Sequence, residues 1–111
     1  DAAQAATLGT TLDRWAAQVR VLVPSTPPDQ PGFEARRYWR GPVWAVVNWL
    51  IADGFEQAGD AARAQLVRAN TCRAIAYAGF NENFDPLDGS GAGGGRFSWT
   101  AAIYLMMQPR E

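Results

Sequence analysis

The chain has no histidine among its 111 residues and only one cysteine. The first absence removes His-based triads and His metal sites. The second removes an intramolecular disulfide and suits a reducing compartment, so a cytoplasmic protein is expected. Basic excess is missing as well: ten Lys and Arg face eleven Asp and Glu, for a net charge of -1. Nucleic-acid binding needs a basic face, so no nucleic-acid partner is expected. No apolar run reaches the length of a membrane span, so no membrane partner is expected either. Residue 1 is Asp rather than Met, and no basic leader precedes the first apolar stretch. A processed, trimmed or partial piece of a longer protein is the expectation. No convincing strand pattern and no internal repeat are visible. What remains is 48% hydrophobic and 19% charged, the composition of one small globular unit.

The densest chemistry lies in Arg37-Tyr38-Trp39-Arg40-Gly41-Pro42-Val43-Trp44-Ala45-Val46-Val47-Asn48-Trp49. Three Trp, a Tyr and two Arg surround a Gly-Pro step and run into an apolar helix. Flat aromatic faces can cover the C–H faces of a pyranose, while Arg and indole N–H groups bond its hydroxyls. The cluster has the composition of a sugar-binding wall.

Four helices are predicted. Asp1 to Val23 carries Leu8, Leu12, Trp15, Val19 and Leu22 at spacings of three and four, with Thr10 or Thr11 as a later start. Val43 to Ala52, with Pro42 in its first turn, is apolar on most sides and ends at Asp53-Gly54. Gln57 to Gly79, starting after Gly59-Asp60 with Asp60 as cap, buries Ala61, Ala64, Leu66, Val67, Ala69, Cys72, Ile75 and Ala76. Its Arg63, Arg68 and Arg73 face solvent. Cys72 then reads as an inert buried thiol. Trp99 to Met107, capped by Ser98 and ended by Pro109, is the last. Between the first two helices, Pro24 to Gly32 is too proline-rich for helix or central strand; it is either a structured functional loop or a solvated linker.

Phe80 to Phe97 is a loop holding Glu82 between Asn81 and Asn83, then Asp85, Asp88-Gly89 and a glycine-rich run. The run has no following Lys-Ser/Thr and follows no strand, so tight turns beside a ligand or packed backbone explain it better than phosphate binding. Glu82, among amides that hold a carboxylate and rings that limit solvent, suits a general base. The alternative is that Glu82 or Asp85 only bonds neighbouring backbone amides. Glycoside hydrolysis needs a second carboxyl group across the scissile bond. Asp85 and Asp88 are too close in sequence to supply it, which places the proton donor outside this chain. No metal site is legible.

Three segments together resemble the C-terminal part of family-63 glycoside hydrolases. They are Tyr38-Trp39-Arg40-Gly41-Pro42-Val43-Trp44 with Asn48-Trp49, Gly79-Phe80-Asn81-Glu82-Asn83-Phe84-Asp85-Pro86 with Asp88-Gly89, and Gly95-Arg96-Phe97-Ser98-Trp99-Thr100-Ala101-Ala102. The resemblance implies an all-α fold, the C-terminal part of an (α/α)6 barrel, with residues 1–111 an incomplete piece of one catalytic domain. Within the group the chain looks most like the bacterial enzymes that hydrolyse mannosylglycerate and glucosylglycerate, with glucosylglycerate preferred. It implies an inverting hydrolase of a small charged glycoside and no cofactor. Glu82 matches the general base; Tyr38, Trp39 and Trp44 match aromatic residues of the sugar pocket. Gly41 keeps the turn low enough for the sugar, and Arg40 either bonds a hydroxyl or pins the loop. Trp99 is either a packing residue or a sugar contact. The partners expected are the glycoside and the remainder of the barrel, with a homo-oligomer left open. A twelve-helix barrel needs about 400 residues, so the isolated segment is expected to aggregate or stay molten. Two competing readings are a non-catalytic carbohydrate-binding module and a helical domain whose aromatic face packs on a partner protein.

Overall fold

A computed structural model describes residues 1–109. Helix α1 spans Ala2–Ala16, α2 Ala45–Gln57, α3 Ala61–Ala78 and α4 Ser98–Met107. The mostly helical architecture is as expected. Two short strands, β1 (Asn83–Phe84) and β2 (Gly91–Ala92), were not. They pair antiparallel, with Phe84 opposite Gly91 and Asn83 opposite Ala92. Single bridges extend the pairing from Phe84 to Val43 and from Val43 to Pro24. Four backbone segments therefore lie side by side, at about 4.8 Å intervals. Among the described residues no helix is long and apolar enough to cross a membrane.

The first helix stops seven residues earlier than its apolar stripe suggests. Asp1 caps it by accepting from the Gln4 amide at 2.9 Å. Thr10 and Thr11 cap nothing; their hydroxyls donate to the carbonyls of Ala6 and Thr7. Beyond Ala16 the amides of residues 20 to 23 no longer bond to α1 and find partners far along the chain instead. Arg20 and Val21 donate to the Pro86 carbonyl at 2.8 and 2.9 Å, Leu22 to Asn70 Oδ1 at 2.7 Å and Val23 to Asn48 Oδ1 at 3.1 Å. Val23 also precedes Pro24, a position that disfavours helix.

Helix α2 starts two residues later than expected because Val43 is taken by the bridge: its N–H and C=O both pair with Phe84, at 2.8 and 2.9 Å. Pro42 lies outside the helix. Asp53 and Gly54 do not end it; the chain closes at Gly59, left-handed at φ 85°, with Asp60 N–H on the Phe55 carbonyl and Gly59 N–H on that of Glu56. Asp60 caps α3 as predicted, accepting from the Arg63 amide. Two of the three arginines read as solvated are paired. Arg63 bridges Asp13 and Asp60, each at 2.6 Å, and Arg68 pairs with Glu56. Of the predicted buried face, Ala64, Val67 and Ile75 are buried; Ala61, Leu66, Ala69 and Ala76 are exposed. Ser98 is the first residue of α4 and not its cap, which is Phe97. Cys72 is half-buried against the core, and desolvation pushes its thiol up, consistent with an inert role.

Two apolar clusters hold the helices. Val21, Val43, Ala45, Ala74, Ile75, Phe84, Ile103 and Met107 form one; Leu12, Leu22, Val23, Ala52, Phe55, Ala64 and Val67 form the other. Between them, fully buried Asn48 donates to the Leu22 carbonyl at 2.7 Å and to Thr71 Oγ1 at 2.8 Å. This amide locks the extended segment to α2 and α3.

Candidate functional site

The aromatic segment is an arch closed on itself. Glu34 N–H donates to the Arg40 carbonyl at 2.7 Å and Arg40 N–H to that of Arg37 at 2.8 Å. The Glu34 carboxylate lies 3.4 Å from both Arg37 and Arg40 guanidinium groups. Arg40 also donates to the Gly32 carbonyl, so it pins the loop. The proline-rich stretch before it is a structured buttress: Ser25 Oγ accepts from the Gly41 amide, and Thr26 Oγ1 donates to the Trp39 carbonyl.

Gly41 is buried, and the structure gives it a role in the arch itself. A Cβ there would lie 2.3 Å from the Glu34 carbonyl oxygen. Glycine is needed for the arch to close on its own backbone. Tyr38, at the tip, has a φ of 45°, an uncommon conformation for a bulky residue.

The three ring residues take separate places. Trp39 stacks on Trp44 with centroids 4.0 Å apart and planes within 10°. Tyr38 meets Trp44 edge-on at 5.0 Å. Tyr38 and Trp39 are 56% and 46% exposed, whereas Trp44 is 3% exposed. The Trp44 indole N–H is already committed to the Tyr38 carbonyl at 3.1 Å. The exposed wall is therefore Tyr38 and Trp39; Trp44 is the layer that holds Trp39 flat. Trp49 packs on the core, and Trp99, 60% exposed, tilts against Phe97 at 5.5 Å.

The bridge between Val43 and Phe84 fixes this arch against the acidic loop. Within that loop the three carboxylates differ: Asp85 and Asp88 are bonded to backbone, and Glu82 is not. Asp85 is buried; its Oδ1 accepts from Leu87 N–H at 2.8 Å and Asp88 N–H at 3.4 Å, and its Oδ2 lies 3.7 Å from Arg36. The backbone-bonding alternative thus applies to Asp85. Asp88 Oδ1 accepts from the Ser90 amide, and the Ser90 hydroxyl and amide hold its carboxyl below the ordinary range. Glu82 is half-buried, and among the described residues its carboxylate has no hydrogen-bond or ion-pair partner. The flanking amides do not hold it as expected: Asn81 Nδ2 donates to the Ala78 carbonyl at 2.6 Å, and Asn83 is buried.

The glycine run is what seats Glu82. Glu82 N–H donates to the Gly94 carbonyl at 2.9 Å. A Cβ on Gly93, which has a φ of +74°, would lie 2.4 Å from Glu82 Oε2 and 2.6 Å from Glu82 Cβ. A Cβ on Gly91 would lie 2.1 Å from the Asn81 side chain. The run is thus a floor under residues 81 and 82. Arg36, which the sequence reading passed over, ties that floor to the arch: its guanidinium donates to Ser90 Oγ and to the Gly91 carbonyl. In the sequence the floor shows as the glycine run itself, read above as tight turns beside a ligand or packed backbone.

A family model, described as the Mannosylglycerate hydrolase MGH1-like glycoside hydrolase domain, matches residues 1–100. The chain belongs to that family. It is 46% identical over 102 residues to a mannosylglycerate hydrolase of Thermus thermophilus, covering 92% of this chain and 25% of that one. It is 45% identical to mannosylglycerate hydrolase MGH1 of Selaginella moellendorffii, over 92% of this chain and 21% of that one. A glucosylglycerate hydrolase of Mycolicibacterium hassiacum is 43% identical over 84 residues, 76% of this chain and 19% of that one. The crystal structure of the Thermus thermophilus GH63 mannosylglycerate hydrolase, solved with Tris and D-glycerate, superposes with a TM-score of 0.92. It has 45% sequence identity over 94% of this chain and 25% of that structure. This member of the family spans about a quarter of the length of those relatives.

Proposed function

We propose that these residues form the base-carrying part of an inverting α-glycoside hydrolase that releases a sugar from glycerate. The observation that carries the reading is Glu82: a partly exposed, unengaged carboxylate seated on a glycine floor, in a segment bridged to the Tyr38–Trp39 wall. In this mechanism water lies between Glu82 and the anomeric carbon. Glu82 takes a water proton as the water oxygen bonds to that carbon from the face opposite the leaving group. The bond to the glycerate oxygen breaks, and a carboxylic acid outside this chain returns a proton to it. Sugar and glycerate leave with inverted anomeric configuration. Tyr38 and Trp39 cover the sugar's apolar face, and Trp44 keeps Trp39 in plane.

The relatives above support both glycosides expected from sequence, and the longer matches to the mannosylglycerate hydrolases put mannosylglycerate first. The Mycolicibacterium relative keeps glucosylglycerate as the second reading. The remaining barrel helices would supply the acid and most of the glycerate side. The test uses the longest product of the reading frame that contains this chain, with Glu82→Gln beside it. Turnover on either glycoside should fall by about 10³-fold or more while the quenching of Trp fluorescence by sugar is retained. A Glu82→Gln protein with unchanged turnover refutes the base assignment. A protein that binds sugar but cleaves neither glycoside is a carbohydrate-binding module.

A further inference from the structure

The Arg36 side chain sits where the two halves of the site meet. It leaves the arch two residues before Tyr38. Its guanidinium reaches three acceptors on the facing loop: Ser90 Oγ, the Gly91 carbonyl at 3.4 Å and Asp85 Oδ2 at 3.7 Å. Each acceptor is itself fixed. Asp85 holds the Leu87 and Asp88 amides, Asp88 holds the Ser90 amide, and Gly91 pairs with Phe84. Beyond Gly91 the same backbone runs two and three residues to Gly93 and Gly94, the floor against which Glu82 packs. We infer that Arg36 is a positioning residue that sets the Glu82 carboxylate relative to the Tyr38–Trp39 wall by holding the glycine floor to the arch. This rests on the base assignment proposed above.

The physical argument is one of span. An inverting enzyme must leave room for one water between its base and the sugar, so the distance from wall to base sets the rate. The Val43–Phe84 bridge fixes the two segments at one end, next to α2. Glycines at 91, 93, 94 and 95 give the other end little stiffness of its own. A planar guanidinium with several donors can hold three acceptors at once, which a lysine ammonium on its flexible stem does less well. Arg36 is half-exposed and outside both apolar clusters, so its removal opens no cavity in the core.

The test is a double-mutant cycle in the longest product containing this chain, read with α-mannosyl fluoride, whose leaving group needs little help from the acid. Arg36→Met should lower kcat by about tenfold or more with KM changed less than about threefold. In the Glu82→Gln background the same change should cost less than about twofold, because the residue it positions is already disabled. Arg36→Lys should recover part of the loss, and Ser90→Ala should reproduce part of it in a second, independent variant. Equal losses in both backgrounds, or no loss from either Arg36→Met or Ser90→Ala, overturn the inference. A large rise in KM with kcat held also overturns it, because Arg36 would then be a substrate contact. Full activity of Glu82→Gln alone is a different failure: it removes the base assignment itself.

Discussion

Replacing Gly93 with alanine puts the geometry of the floor to a direct test. Two costs follow from the structure. At a φ of +74° an L-residue is strained by about 1–2 kcal/mol relative to glycine. The new methyl would lie 2.6 Å from Glu82 Cβ, about 0.8 Å inside the 3.4 Å at which ordinary contact begins. The Glu82 Oε2 contact at 2.4 Å can be relieved by turning the side chain, but the Cβ contact cannot. Either the floor or the Glu82 backbone must therefore shift by most of an ångström. A displacement of that size in a catalytic group costs about 10²-fold in rate, so kcat should fall by about 10- to 100-fold. Stability should fall by about 2–5 kcal/mol, the backbone strain plus the cost of relieving the contact. Gly94→Ala is the matched control, because nothing lies within 4 Å of its Cβ and its φ is not left-handed. Steady-state kinetics and a denaturant midpoint on both variants decide the matter. A Gly93→Ala enzyme with wild-type kcat would refute the claim that the floor positions Glu82, as would equal losses from both glycines.

Three further outcomes are expected. Asn48→Leu leaves the Val23 amide, the Leu22 carbonyl and the Thr71 hydroxyl without their partner, so urea denaturation should show a loss of about 2–4 kcal/mol. The Arg63 guanidinium lowers the carboxyl pKa values of Asp13 and Asp60 in the folded state. Their contribution is complete above the unfolded value near 4 and is lost as pH falls through the lowered folded values, so Arg63→Met should flatten the acid side of the stability curve, followed by thermal midpoints from about pH 5 to 2. Residues 1–111 alone should bind a hydrophobic dye and melt without cooperativity, because Leu8, Leu50, Leu105 and Met106 are each more than half exposed; a sharp transition with native near-ultraviolet dichroism would contradict this.

Local signals carried most of the fold's legibility. The Asp60 cap, the Gly79 stop and the apolar last helix are written within a few residues of where they act, and each was readable. The errors arose where distant partners decided. Periodicity alone continues the first helix to Val23, but the amides of residues 20–23 are claimed by Pro86, Asn70 and Asn48. Val43 reads as helix until Phe84 pairs with it. At the site, residue types were legible and their exposure was not. Trp39 and Trp44 are five positions apart, and nothing in their spacing says that one covers the other. Glu82 and Asp85 are both acidic loop residues, and only the Asp85 bonds to Leu87 and Asp88 separate a structural carboxylate from an unengaged one. Arg36 carried no signal, since its three acceptors lie about fifty residues away.

The central claim is that Glu82 delivers water to the sugar from the face opposite the leaving group. Proton NMR of the first sugar released from mannosylglycerate by the full-length protein tests it most directly. The account predicts the β-anomer first, slow mutarotation afterwards, and release about 10³-fold slower or more by Glu82→Gln. First appearance of the α-anomer, or release at an unchanged rate by Glu82→Gln, would contradict it.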